Sequence, residues 1–259
     1  MQLIDTHSHL DFDDFAHDRA HVLAKAKAQG LSHIVVLGVT QARWAALWAQ
    51  VESEPMLYGA LGLHPAFLAQ HSEGDIAHLR AWLTRLAGHT KLCAVGECGL
   101  DYFLEHLDQA AQQSLFEAQL ALACEFDLPV LLHVRRAHAQ ALATLKRYKP
   151  ARGGIVHAFS GSLEQAREYA KLGFKVGLGG AGTWPQALKM QRMIKALPDE
   201  CIVLETDSPD MAPAMYPNMR NSPTHLPAIC EALAAIRGID AKALAALSSA
   251  NARALFGWP

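Results

Sequence analysis

The chain has 259 residues, 51% of them hydrophobic, with 23 Lys and Arg against 25 Asp and Glu for a formal net charge of −2. That length suits one large α/β barrel or two smaller domains, and the ordinary composition excludes a disordered or low-complexity chain. A charge so close to zero argues against a protein that wraps duplex nucleic acid, though it leaves room for a local basic pocket.

The first segment, "MQLIDTHSHLDFDD", carries Asp5, His7, His9 and Asp11 where a secretory leader needs an unbroken apolar run. No stretch approaches the roughly 20 apolar residues of a membrane span. The five cysteines are scattered without paired spacing, which fits a reducing compartment. The expectation is a soluble cytoplasmic protein without membrane contact. No obligate protein partner is evident, and a monomer is compatible with the pattern.

Eight short apolar runs recur along the chain. "LIDTHSH" comes first and is followed by "DRAHVLAKAKAQG", a helical pattern closing on Gly30. "SHIVVLG", "LYGALGLH" and "LCAVGECGLD" are the next three runs, and after them "HLDQAAQQSLFEAQLALACEFD" has apolar residues three and four apart and ends before Leu128-Pro129. "LPVLLHV" and "GGIVHAFSG" precede "SLEQAREYAKLG", where Ser162 and Gln165 predict a capping box and Gly173 a stop. "FKVGLGG" and "CIVLETDSP" complete the eight, and the tail reads as two helices broken at Gly238. Near-continuous apolar strands alternating with helices are what a parallel sheet covered on its outer face requires. The spacing predicts a single (β/α)₈ TIM-barrel domain over residues 1–259. The alternative, a doubly wound open sheet, lacks a Gly-x-Gly-x-x-Gly in its first turn.

Barrel active sites gather at the C-terminal ends of the strands. Five of the eight runs turn polar there: His7 and His9 on the first, Glu97 on the fourth, His133 on the fifth, His157 on the sixth and Asp207 on the eighth. His7 and His9 share a strand face because side chains alternate. Taken singly, each histidine could be a hydrogen-bonded core residue, and Asp207 could cap the turn before Pro209. Taken together they would crowd unpaired ionisable groups into one mouth at several kcal/mol each, a cost that divalent cations remove. Four imidazoles and two carboxylates exceed the usual three protein ligands of one catalytic zinc. Two cations fit the count, with Glu97 as the bridge because the fourth strand faces the first across the barrel mouth.

"DTHSHLD", "GECGLDYF", "LPVLLHVRRA", "GIVHAFSGS" and "ETDSPDMAP" together resemble the successive motifs of the TatD-type metal-dependent hydrolases, deoxyribonuclease-like members of the amidohydrolase superfamily. The resemblance covers essentially the whole chain. It implies that His7, His9 and Asp207 hold one metal, that Glu97 bridges, and that His133 and His157 hold the second. It also places a substrate-contacting histidine at His64, for which capping the loop before Pro65 is the alternative. Lys91, at the start of the fourth strand, is too far away to serve as the carboxylated lysine of phosphotriesterase-like relatives.

The expected chemistry is hydrolysis of a DNA phosphodiester by water that two cations activate, with Asp207 as general base beside its ligand role. Arg135, two residues beyond His133, is expected to face the same mouth and bind phosphate through its planar fork, with Arg136 more solvated. Asp101 and Asp5 are expected to orient imidazoles. Ser160 and Asn221 are candidates for substrate hydrogen bonds, with turn capping preferred for both, and Cys98 should point away from Glu97. The ligand types accept Zn²⁺, Mn²⁺, Fe²⁺ or Co²⁺, and Mg²⁺ less comfortably. The same ligands would serve a small-molecule amidohydrolase or esterase, and a metal-stabilised binding protein without turnover is the third alternative.

Overall fold

The computed structural model describes all 259 residues. Strands and helices alternate: β1 (Leu3–Ser8), α1 (Arg19–Ala28), β2 (Leu31–Leu37), α2 (Trp44–Ser53), β3 (Leu57–Leu61), α3 (Asp75–Arg85), β4 (Leu92–Asp101) and α4 (Gln109–Glu125). They continue as β5 (Val130–Arg135), α5 (His138–Tyr148), β6 (Gly154–Val156), α6 (Leu163–Lys171), β7 (Phe174–Leu178), α7 (Leu188–Ala196) and β8 (Ile202–Leu204), followed by α8 (Leu226–Arg237) and α9 (Ala241–Phe256). The eight strands pair in sequence order, every neighbour parallel. The expected (β/α)₈ barrel is the fold.

β8 meets β1 just beyond its last residue. His9 N donates to Ser208 O at 2.7 Å and Asp207 N to His7 O at 2.9 Å. Asp5 staples this seam: its carboxylate accepts from Thr206 N at 3.0 Å and Thr206 Oγ1 at 2.6 Å. Asp5 was expected to orient an imidazole; on His7 it reaches the backbone N, at 3.3 Å, and its other bonds go to Thr206.

Two apolar layers follow from strand alternation. Leu3, Ile34, Leu57, Leu132, Val156 and Ile202 pack outward against the helices in the large core. Ile4, Leu37, Ala60, Leu131, Ile155 and Val203 form a smaller cluster inside the barrel, with Ala252 and Leu255 of α9 against it. The helix signals hold. Ser162 and Gln165 form the full capping box of α6, and Gly238 takes φ 72° between α8 and α9, a conformation that costs glycine little.

Two strand ends differ from expectation. β8 stops at Leu204, so Asp207 lies in the turn beyond it. β4 runs on to Asp101, so Glu97 lies within the strand rather than at its exit. A register shift between Val95 and Cys98 interrupts its pairing with β5 around Glu97, and the pairing resumes from Cys98 to Asp101. No helix is long and apolar enough to cross a membrane.

Candidate metal centre

Glu97 is 1% exposed and its carboxylate sits among five imidazoles. One oxygen, Oε2, lies 3.2 Å from His7 Nε2 and 3.3 Å from His9 Nε2. The other, Oε1, lies 2.9 Å from His157 Nε2, 3.2 Å from His133 Nδ1 and 3.1 Å from His64 Nε2. Asp207 Oδ1 is 3.5 Å from His7 Nε2. All six expected ligands meet at one point, and both carboxylate oxygens are shared between two imidazole groups.

These distances fit cations better than hydrogen bonds. Neither Glu97 oxygen accepts an aligned hydrogen bond, although both are buried. Leaving a buried carboxylate so unsatisfied costs several kcal/mol. Two ligand atoms on one tetrahedral cation, each about 2.1 Å from it, stand about 3.4 Å apart. His7 Nε2 and His9 Nε2 are 3.4 Å apart, and His133 Nδ1 and His157 Nε2 are 3.1 Å apart. His7, His9 and Asp207 also form a group whose ligand atoms all lie within 4.8 Å of one another.

Neighbouring groups fix which ring nitrogens are free. His9 Nδ1 faces the carbonyl of Leu37 at 3.3 Å. A carbonyl only accepts, so Nδ1 carries a proton and Nε2 is the nitrogen left to face a cation. His133 Nε2 faces the Asp101 carboxylate at 2.9 Å, which leaves Nδ1 as the nitrogen open to a cation. Asp101 thus orients an imidazole as expected. His64 is set the other way: its Nδ1 accepts from Ala66 N at 3.0 Å, so neutral His64 carries its proton on Nε2. In this tautomer it offers a proton rather than a lone pair, its Nε2 standing 3.1 Å from Glu97 Oε1 without an aligned hydrogen bond, although its ring lies within ligand distance of Glu97 and His133. Burial, the main cause, lowers its pKa to about 4 and keeps it neutral.

Burial works to raise the pKa of Glu97, but the imidazoles of His64, His157 and His7 outweigh it and hold the carboxyl well below the usual range. Burial acts first on His7 and holds it neutral. Burial raises the pKa of Asp207, making it a stronger base than a surface carboxylate. Asp207 also takes a left-handed backbone conformation, φ 57°, as do Arg136 and Ala158 after β5 and β6, at φ 54° and 42°.

Arg135 lies on one wall of a 380 Å³ cavity that His133, His157, Ser160, Met190 and Asp207 also line. Asn221 is occupied structurally, donating to Thr206 O at 2.7 Å. Cys98 is buried in the outer core and burial pushes its thiol pKa up. Lys91 Nζ binds the carbonyls of Val51 and Glu54 at 2.5 and 2.7 Å, at the opposite end of the barrel.

Glu205 escaped the sequence reading. It is fully buried, groups with His7 and His157 as a possible ligand set, and accepts from Ala158 N through Oε1 while Oε2 has no partner. Burial chiefly raises its pKa to about 8. Gly177 makes room for it, since a Cβ there would lie 2.0 Å from Glu205 Oε2. The signal was present: a carboxylate directly continues the apolar run Ile202–Leu204 and shares parity with Asp207.

The family model described as TatD related DNase matches residues 4–257. The chain belongs to the TatD-related DNase family. This TatD-related chain is 39% identical over 258 residues to the uncharacterized metal-dependent hydrolase YjjV of Escherichia coli K12, covering 100% of itself and 99% of that relative. It is 34% identical over 252 residues to the 3'-5' ssDNA/RNA exonuclease TatD of Cronobacter sakazakii, covering 93% of both chains. The crystal structure of YjjV superimposes with a TM-score of 0.95, covering 99% of this chain and 98% of that one. This TatD-related protein is a metal-dependent hydrolase.

Proposed function

We propose that the protein is a two-metal nuclease hydrolysing phosphodiester bonds at the ends of single-stranded DNA or short oligonucleotides. The observation that carries this reading is Glu97, whose two oxygens divide between His7 and His9 on one side and His133 and His157 on the other. His7, His9 and Asp207 would hold one cation, His133 and His157 the second, and Glu97 both. Zn²⁺, Mn²⁺, Fe²⁺ and Co²⁺ suit these donors, and Mg²⁺ less well. Such cations supply Lewis-acid polarisation and lower the pKa of a water.

The chain's own groups do the rest. Asp207 accepts the proton of the attacking water, whose oxygen bonds to phosphorus as the bond to the leaving oxygen breaks. Asp207 then passes that proton to the leaving oxygen, which departs as an alcohol. His64 donates its Nε2–H toward the charge that grows on the phosphoryl oxygens. Arg135 holds the phosphate in the cavity with paired charge-assisted bonds. The cavity lies in the lower part of the small-ligand range of about 300–1,000 Å³, which favours a strand end over a duplex. The relatives named as single-strand exonucleases support the same substrate class. All six ligands and both substrate-facing groups come from one chain, consistent with a monomer built as a single barrel domain. Five unpaired cysteines suit the cytoplasm.

Elemental analysis paired with digestion of end-labelled single- and double-stranded DNA tests this reading. Wild type should contain close to two metals per chain and shorten the single strand. Glu97→Ala should lose metal and lower cleavage by roughly a thousandfold or more. A metal-replete wild type that hydrolyses carboxylic esters but no oligonucleotide would assign the centre to small-molecule chemistry instead. Cleavage retained by metal-depleted Glu97→Ala would refute the mechanism.

A further inference from the structure

Phe103 is 40% exposed, an unusual place for a phenyl ring beside a polar mouth. It follows Asp101 by two residues, and its backbone N donates to Asp101 Oδ1 at 3.0 Å. The other oxygen of that carboxylate holds His133. One side chain therefore ties the ring's backbone to the metal centre. Two guanidinium groups lie over the ring, Arg135 with its Cζ 3.7 Å from the centroid and Arg136 at 4.6 Å. Arg80, Arg147 and Arg220 on the surface all pair with carboxylates, whereas neither Arg135 nor Arg136 forms such a pair. Their forks are free, and Arg135 lines the cavity that His157 and Asp207 share.

An exposed ring with two unpaired guanidinium groups gathered over it has the chemistry of a nucleotide subsite. Bases stack on aromatic rings and on arginine planes alike, and free forks bind phosphate. The geometry points to Phe103, Arg135 and Arg136 as a stacking platform and phosphate clamp for the nucleotide next to the scissile bond. This rests on the nuclease reading above and gives it a specific consequence: recognition is of a base's flat face, not its hydrogen-bonding edge. The site accepts any base and discriminates against a nucleotide that has none. Phe103 is a substrate-binding residue here, and the ligands work without it.

The experiment uses full-length protein loaded with Mn²⁺ and end-labelled single-stranded oligonucleotides, intact or with an abasic site at each of the three terminal positions in turn. Phe103→Ala should raise KM for the intact strand about tenfold, the scale of one stacked base, with kcat little changed. Phe103→Tyr should restore the wild-type KM. At one abasic position wild type should already show the raised KM, and Phe103→Ala should add nothing further. The platform is overturned if Phe103→Ala leaves KM unchanged, if it lowers kcat alone, or if its effect is the same on every abasic strand. A wild type that cleaves no strand at all removes the nuclease reading and the platform with it. Cleavage with an indifferent Phe103 removes the platform alone.

Discussion

At the centre, single hydrogen bonds decide what each histidine can do. The Leu37 carbonyl and the Asp101 carboxylate take the N–H of His9 and His133 and turn their other ring nitrogens inward, while the Ala66 amide makes His64 a donor. Without metal, burial opposes charge on His9 and His157, but the Glu97 and Asp207 carboxylates prevail and raise their pKa values to about 9 and about 10. Both rings are therefore protonated at neutral pH and must lose those protons to bind a cation. Metal binding at pH 7 should therefore release protons, and affinity should rise with pH. Calorimetry in buffers of different ionisation enthalpy measures this directly; a heat independent of buffer would contradict it.

At the level of elements, β5, β6 and β8 follow simple alternation toward the mouth, whereas β1 and β4 both carry register shifts. Leu131, His133 and Arg135 share parity, as do Ile155 and His157, and Val203, Glu205 and Asp207. Each series runs from the inner apolar cluster to the mouth. On β4, Ala94 belongs to the inner cluster and Val95 to the outer, so regular alternation would turn Glu97 outward. The register shift between Val95 and Cys98 reverses this and aims Glu97 at the histidines. Glu97 N donates to Gly38 O at 3.1 Å, tying the irregular segment to β2. Gly62 lies directly against it, and a Cβ there would sit 2.5 Å from the Gly96 carbonyl carbon and 2.8 Å from Glu97 N. Both are backbone atoms that cannot rotate away. Gly62→Ala should destabilise the fold by about 1–3 kcal/mol and reduce metal content in the molecules that remain folded. Urea denaturation and elemental analysis check the two parts, and normal metal content would show that β4 tolerates displacement.

For the whole molecule, the barrel gathers on one face what the chain spreads over 200 residues, while Ala252 and Leu255 of α9 pack against the inner cluster. The centre brings a cost, because Glu97 and Glu205 are buried carboxylates with oxygens that accept no hydrogen bond. Cations that bind only the folded state offset that cost by mass action. Saturating metal at a hundred times its Kd adds about 2.7 kcal/mol per site, a rise in Tm on the order of 5–10 °C for a chain of this size. Because His9 and His157 compete through their protons, the gain should be larger at pH 8 than at pH 6. Scanning calorimetry with and without chelator tests it, and a Tm indifferent to metal at both pH values would count against cations as structural partners.

Much of this was legible in the order of residues. The eight apolar runs, the capping box at Ser162 and Gln165, the break at Gly238 and the polar strand exits all follow from local pattern, because strand and helix periods repeat within a few residues. The barrel follows from their alternation. Other features depended on contacts between distant segments: the inward turn of Glu97, the stapling of the seam by Asp5, the donor state of His64 and the place of Glu205 beside His7 and His157. Periodicity describes a regular strand and carries no information about a register shift, nor about which carbonyl will face an imidazole. Only when the eight strands close does each polar side chain meet the neighbours that fix its proton and its role.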